Sequence, residues 1–268
     1  EFTEGSGVAV ELVTAMNVSG VSQMAVVSGS VVSVYGSGFS ASRGVYCAIA
    51  GVDSSAPWSY VAGAVVNAGS MACTVPARGA GMQVVEVAMS EGGEMSHSGV
   101  QVEYVAAGSV SSVFPASGVV AGGTVVTLVG SGFVAGRTAC KFGSAEAVNA
   151  VVMSSEEATC VAPAGTRGMS SVEVSTAGND ATAFASAKQF VYTGEVSVVS
   201  VSPGVGLVEG GAVVSVVANG LEDGSAAWCK MGSVVVASGK STSGVVECTA
   251  VAGIAGNMTV EVSVNGQE

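Results

Sequence analysis

Three stretches of the chain carry one pattern: Ser28 to Phe39 reads SGSVVSVYGSGF, Gly122 to Phe133 reads GGTVVTLVGSGF, and Gly210 to Leu221 reads GGAVVSVVANGL. The glycine that opens each closing tetrad recurs after 94 positions, from Gly36 to Gly130, and after 88 more its place is taken by Ala218. A repeat of that length suits one small all-β domain per copy. The chain therefore reads as a tandem array, and its function lies in what such strings do.

The 268 residues include 39 glycines, and only 10% are charged. Heptads are absent. Valine instead alternates with Ser, Thr, Ala or Glu, as in Val172-Glu173-Val174-Ser175 and Val260-Glu261-Val262-Ser263-Val264. That period of two buries one face of a strand and predicts β-sandwiches. No apolar run reaches the roughly 18 residues of a membrane-spanning helix. A formal charge of −12, with Lys and Arg totalling 8, repels phosphate backbones and sets nucleic-acid binding aside. The weakly charged surface of small residues favours lateral packing or a glycan coat.

Six cysteines fall two to a repeat: Cys47 with Cys73, Cys140 with Cys160, and Cys229 with Cys248. Paired placement at equivalent sites predicts one disulfide inside each module and an oxidising compartment. The competing reading is six buried thiols in a cytosolic protein. Zinc is disfavoured, because no Cys-x-x-Cys pair occurs and His97 is the single histidine. Two N-x-S/T triplets, at Asn17 and Asn257, are candidate glycosylation acceptors and point to the same exported route.

The middle repeat runs from Val113-Phe114-Pro115 through Gly122-Gly123-Thr124 and the tetrad Gly130 to Phe133. It continues through Cys140-Lys141-Phe142-Gly143 and Cys160-Val161-Ala162-Pro163 to Phe190-Val191-Tyr192. This order resembles an IPT/TIG domain, the immunoglobulin-like module of plexins, Met-type receptors, fibrocystin-like proteins and protist surface proteins. The third repeat matches through Ser202-Pro203, Gly210-Gly211 and Trp228 to Gly232, with Val251 where the family has proline. The first matches through Gly36 to Phe39, Tyr46-Cys47 and Cys73 to Pro76, but lacks the C-x-F-G continuation. The resemblance implies that the proline ends the first strand, that GGT opens the second, and that the two cysteines of a module are bonded. It implies the fold and says little of function.

The expected fold class is all-β, three tandem immunoglobulin-like (IPT/TIG) sandwiches. Residues 1–7 read as the tail of a preceding module or a linker, 8–106 as module 1, 107–194 as module 2, and 195–268 as module 3 without its last strand. Glu1-Phe2-Thr3 resembles the end of a closing strand, and Val8-Ala9-Val10 the start of the next module. Both ends look cut, as in an excerpt from a longer repeat protein. A rival idea is that a neighbouring chain donates the missing strand. The very short linkers predict a fairly stiff rod. Tetrad glycines are expected to supply turn or bulge freedom, Phe39, Phe133 and Leu221 to plug each sandwich, and Pro115 and Pro203 to mark module entrances.

Candidates for chemistry are few. His97 lies in a polar hairpin-like stretch without a base–nucleophile pairing. The acidic pairs Glu156-Glu157 and Glu222-Asp223 lack the alternating oxygen ligands of a calcium loop and read as solvated turns. The glycine-rich tetrads lack a following helix and lysine, so they do not cradle phosphate. Module 1 inserts about six residues between its cysteines, including Pro57-Trp58-Ser59-Tyr60; Trp58 and Tyr60 form a candidate contact loop for a sugar or a subunit, or else cap their own sandwich. Trp228 is expected to pack against the Cys229 disulfide.

No catalysis, metal or cofactor is expected, and no membrane span within the segment. The reading is a secreted or cell-surface structural rod, packing with neighbouring copies, other extracellular proteins or glycans into a filament, appendage or coat. The alternative is the stalk of an adhesion or signalling receptor. A third class, the accessory module of a secreted carbohydrate enzyme, would require a catalytic domain elsewhere.

Overall fold

The computed structural model of the protein describes residues 14–42, 44–51, 57–178 and 183–267, and all regular structure among them is β. The expectations for residues 1–3 and 8–10 fall outside the described residues. The chain divides into two compact units, Glu1–Ala106 with one module and Ala107–Glu268 with two.

Module 1 comprises β1 (Asn17–Val21), β2 (Ala25–Val26), β3 (Val31–Ser37), β4 (Tyr46–Gly51), β5 (Ser59–Ala62), β6 (Ala64–Asn67), β7 (Ser70–Thr74), β8 (Gly81–Ala88) and β9 (Val100–Tyr104). They form two sheets, ordered β1-β3-β7-β6 and β2-β9-β8-β4-β5. Module 2 repeats this plan with β10 (Ser109–Phe114), β11 (Ser117–Val119), β12 (Val125–Ser131), β13 (Ala139–Phe142), β14 (Val148–Asn149), β15 (Val151–Val152), β16 (Glu157–Val161), β17 (Gly168–Ser175) and β18 (Ala185–Thr193). Its sheets are β10-β12-β16-β15 and β11-β18-β17-β13-β14. Module 3 has β19 (Ser197–Ser202), β20 (Val213–Asn219), β21 (Ala226–Met231), β22 (Val234–Lys240), β23 (Val245–Thr249) and β24 (Val260–Ser263), in sheets β19-β20-β23 and β22-β21-β24.

Alternation sets the faces. In β3 Val32 and Val34 are buried while Val31 and Tyr35 are exposed, and β12 does the same with Val126 and Leu128 inward and Val125 and Val129 outward. In β20 Val214 and Val216 point inward. Each module encloses its own core; valine is the commonest member in modules 1 and 3, while module 2 adds Leu128, Phe133, Phe142, Phe190 and Tyr192. Tyr104, Phe190, Ile49, Met71 and Leu128 are the bulkiest fully buried groups.

The tetrad glycines divide into two roles. Gly36 and Gly130 remain within β3 and β12, opposite a bulge that shifts the register of β1 between Val18 and Gly20 and of β10 between Val110 and Ser112. A Cβ at Gly130 would lie 1.8 Å from the Ser109 carbonyl oxygen, and one at Gly36 1.9 Å from that of Asn17. Close strand approach, rather than turning freedom, excludes a side chain there. Only the second glycine turns the chain, with φ of 82° at Gly38, 76° at Gly132 and 85° at Gly220. Phe39 and Phe133 are then buried as expected, whereas Leu221 is only half-buried.

The prolines correct another expectation. Pro115 and Pro203, both after cis peptide bonds, follow the last residues of β10 and β19, so they end the first strand of their modules, as the family resemblance implies, and do not stand at the module entrance. Beyond Pro115 the chain leaves one sheet and joins the other as β11, parallel to β18.

Gly130→Val is expected to destabilise module 2 by about 2 to 3 kcal/mol through forced separation of β10 from β12. Amide exchange of β12 and β16 under increasing urea measures this loss, and protection equal to that of the unaltered chain would contradict the close-approach role.

Candidate functional site

Each module is crossed by one disulfide from sheet to sheet. Cys47 on β4 bonds Cys73 on β7, Cys140 on β13 bonds Cys160 on β16, and Cys229 on β21 bonds Cys248 on β23. Their Cα atoms are 6.2, 6.4 and 6.0 Å apart, and all six side chains are buried. No cysteine is free. Trp228 does not join this packing. Cys229 and Met231 point into the core, so strand alternation puts Trp228 on the outer face of β21, where Gly266 lies against its ring.

In module 1 the inserted segment is less of a loop than its composition suggested. Residues 52–56 lie outside the described residues, but Tyr60 belongs to β5, an edge strand laddered to β4 through Ala48. Trp58 and Tyr60 are half-buried, and the Tyr60 hydroxyl meets Met95 Sδ at 3.9 Å. Arg78 anchors the entry to this strand: its Nη2 donates to the carbonyls of Ile49 and Pro57, each at 2.7 Å, and to Ser59 Oγ at 2.9 Å. Tyr104 beside it is 1% exposed. Burial pushes its hydroxyl up to about 12 against the opposing influence of the Arg78 charge.

The Val-Glu-Val segment of each module places a glutamate on the second sheet, and the three are handled differently. Glu261 accepts from Lys230 Nζ at 2.8 Å, and Glu173 stands opposite Lys141 in the ladder. Module 1 has Ala48 at that place, and Glu86 is 3% exposed. It accepts instead from the Ser96 hydroxyl, from the backbone N–H (2.8 Å) and hydroxyl (2.7 Å) of Ser98, and from the Gly99 N–H at 2.7 Å. Burial, the largest single influence, raises its pKa, but these hydrogen bonds together outweigh it and hold Glu86 below its ordinary value. Glu86 thereby ties down the β8–β9 connection.

The remaining candidates stay apart. His97, exposed at φ 50°, lies in the β8–β9 connection. Glu156 and Glu157 are exposed. Among the described residues no three His, Cys, Asp or Glu side chains gather as a metal site. Asn17, the first residue of β1, and Asn257, just before β24, are both exposed.

Sequence reasoning missed the joint between modules 2 and 3. The Gln267 side chain pairs with the backbone of Val125 as a strand would: its Oε1 accepts from the Val125 N–H at 2.8 Å and its Nε2 donates to the Val125 carbonyl at 2.9 Å. Asn265 Nδ2 donates to the Ser117 carbonyl at 3.1 Å. Arg167 pairs with Glu222 across the same joint, though both are exposed and such a pair contributes little.

An IPT/TIG domain model matches residues 16–104, 109–192 and 197–268. The chain belongs to the IPT/TIG family. No curated protein matches it. Among solved structures, these IPT/TIG modules are similar to the Plexin A4 extracellular region (domains 1 to 8) at 14% identity and TM-score 0.41, over 94% of this chain and 32% of that one. The chain thus spans about a third of the plexin chain. SGBP-B from a xyloglucan utilization locus of Bacteroides uniformis matches at 15% identity, TM-score 0.31, over 88% of this chain and 86% of that one. Invasin, a bacterial integrin-binding protein, matches at 14% identity, TM-score 0.25, over 94% and 57%. Scores this low carry nothing about function.

Because the folded pKa of Glu86 is depressed, its stabilisation of module 1 is complete above the ordinary value of 4.5 and is lost as pH falls through the lower folded value. Glu86→Gln is expected to cost module 1 about 2 kcal/mol at neutral pH and to flatten its acid dependence. Urea unfolding followed at Trp58 checks both. Gln267→Ala is expected to remove about 1 kcal/mol from the joint and to raise the independent tumbling of modules 2 and 3, read by backbone NMR relaxation. Unaltered relaxation would show that the amide pairing does not restrain them.

Proposed function

We propose that the chain is a non-enzymatic structural segment of a secreted or cell-surface protein, a disulfide-stapled rod of IPT/TIG modules that packs with neighbouring copies or other extracellular structural proteins into a filament, appendage or coat. The observation that carries this reading is one buried cross-sheet disulfide at the equivalent place in each of three modules, which suits an oxidising compartment. Lateral packing is supported by apolar side chains left on the sheet surfaces, among them Phe114, Met153 and Met169. Exposure of Asn17 and Asn257 accords with glycan attachment. Trp58 and Tyr60, at a half-buried sheet edge, offer a contact for a neighbour or a sugar.

A second reading, the stalk of an adhesion or signalling receptor, is favoured by the hydrogen-bonded joint between modules 2 and 3, which suits a spacer. Electron microscopy of native material separates the two, since regular polymers support the filament and isolated ectodomains the stalk.

Intact-mass measurement after alkylation of unreduced native protein is expected to find no cysteine alkylated, and reduction to lower the stability of each module by about 3 kcal/mol. Six alkylated cysteines in unreduced native material would overturn the extracellular reading.

A further inference from the structure

Asn-Gly occurs twice in the sequence, at Asn219-Gly220 and Asn265-Gly266. The pair is chemically labile, because glycine offers its backbone nitrogen to the preceding carboxamide with no side chain in the way. Asn219 ends β20 and is exposed. Asn265 is 6% exposed and sits inside the joint between modules 2 and 3.

Two sets of hydrogen bonds hold Asn265. Within module 3, Ser263 Oγ donates to its Oδ1 at 2.9 Å, and the Gln267 N–H donates to the same oxygen at 3.0 Å. Ser263 Oγ in turn accepts from the N–H groups of Asn265, at 3.2 Å, and Gly266, at 2.9 Å. From module 2, the Ser117 carbonyl accepts from Nδ2 at 3.1 Å, and Thr124 Oγ1 lies 3.5 Å from that nitrogen. The first set is local to one loop and survives opening of the joint. The second does not.

This division governs reactivity. The donors on Oδ1 draw charge from Cγ, the atom an attacking nitrogen must reach. The closed joint pins Nδ2 and keeps out the water that must take the Gly266 proton and return one to the departing nitrogen.

We propose that Asn265-Gly266 is a deamidation site that the joint between modules 2 and 3 keeps shut, and that its conversion undoes the joint irreversibly. The Gly266 nitrogen gives its proton to water and bonds to Cγ, the Cγ–Nδ2 bond breaks, and Nδ2 gains a proton and leaves as ammonia. Water, the one co-reactant, then opens the cyclic imide at either carbonyl to give aspartate or isoaspartate. A carboxylate oxygen now faces the Ser117 carbonyl, acceptor against acceptor. Isoaspartate also inserts a methylene into the main chain and moves Gln267 away from the Val125 backbone. The inference rests on the joint alone and is independent of the extracellular reading.

The test incubates chain 1–268 in mildly alkaline buffer and follows both Asn-Gly sites by peptide mapping with mass spectrometry. Conversion of Asn265 is expected to be at least about tenfold slower in the native chain than in the chain reduced and unfolded in urea. Gln267→Ala is expected to speed native conversion at Asn265 about fivefold while leaving Asn219 unaltered, with no effect on either site in the unfolded chain. Asn265→Asp is expected to raise the independent tumbling of modules 2 and 3 by NMR relaxation, and Asn219→Asp to leave it unaltered. Native conversion of Asn265 as fast as unfolded would overturn the proposal. So would equal native rates at Asn265 with and without Gln267, zero included, or unaltered tumbling of Asn265→Asp.

Discussion

The cross-sheet disulfide is the constraint around which each module is arranged. A sandwich of about 90 residues is small, and in modules 1 and 3 valine is the commonest core side chain, so the two sheets gain less from contact than a core rich in Leu and Phe would provide. A covalent tie between β4 and β7, and at the same place in the other two modules, limits the unfolded chain instead. The strand opposite each second cysteine then supplies Val32, Val126 or Val214 beside the bridge.

Upon this shared frame the modules diverge where charge meets the sheet. Lys141 and Lys230 face a glutamate across the ladder in modules 2 and 3. With alanine at position 48, module 1 turns its glutamate into an internal acceptor for a loop of serines. One carboxylate thus takes a surface role or a buried structural role according to a single cross-strand neighbour.

Much of this was legible in the sequence for physical reasons. The period of two in VVSV, VVTL and VVSV specifies faces, and equivalent cysteines in consecutive repeats specify bridges, because both signals are local and repeated. Trp228 was misplaced although its own strand held the answer: Cys229 and Met231 must share a face, which puts Trp228 with Lys230 on the other. The Glu86 cluster was signalled only by an absent lysine, and its acceptor role depends on how residues 96–99 fold back. Tyr60 read as loop because an insertion beside proline obscures the strand that follows it. Asn265 and Gln267 had no signature at all, since their partners lie some 140 positions earlier in sequence.

The amide of Gln267 recognises only main-chain atoms of Val125, a donor and an acceptor that every residue except proline possesses. The joint is therefore indifferent to the side chain at 125 and demanding at 267. At this one contact, drift in sequence is free on the side of position 125, proline excepted, and restricted at position 267.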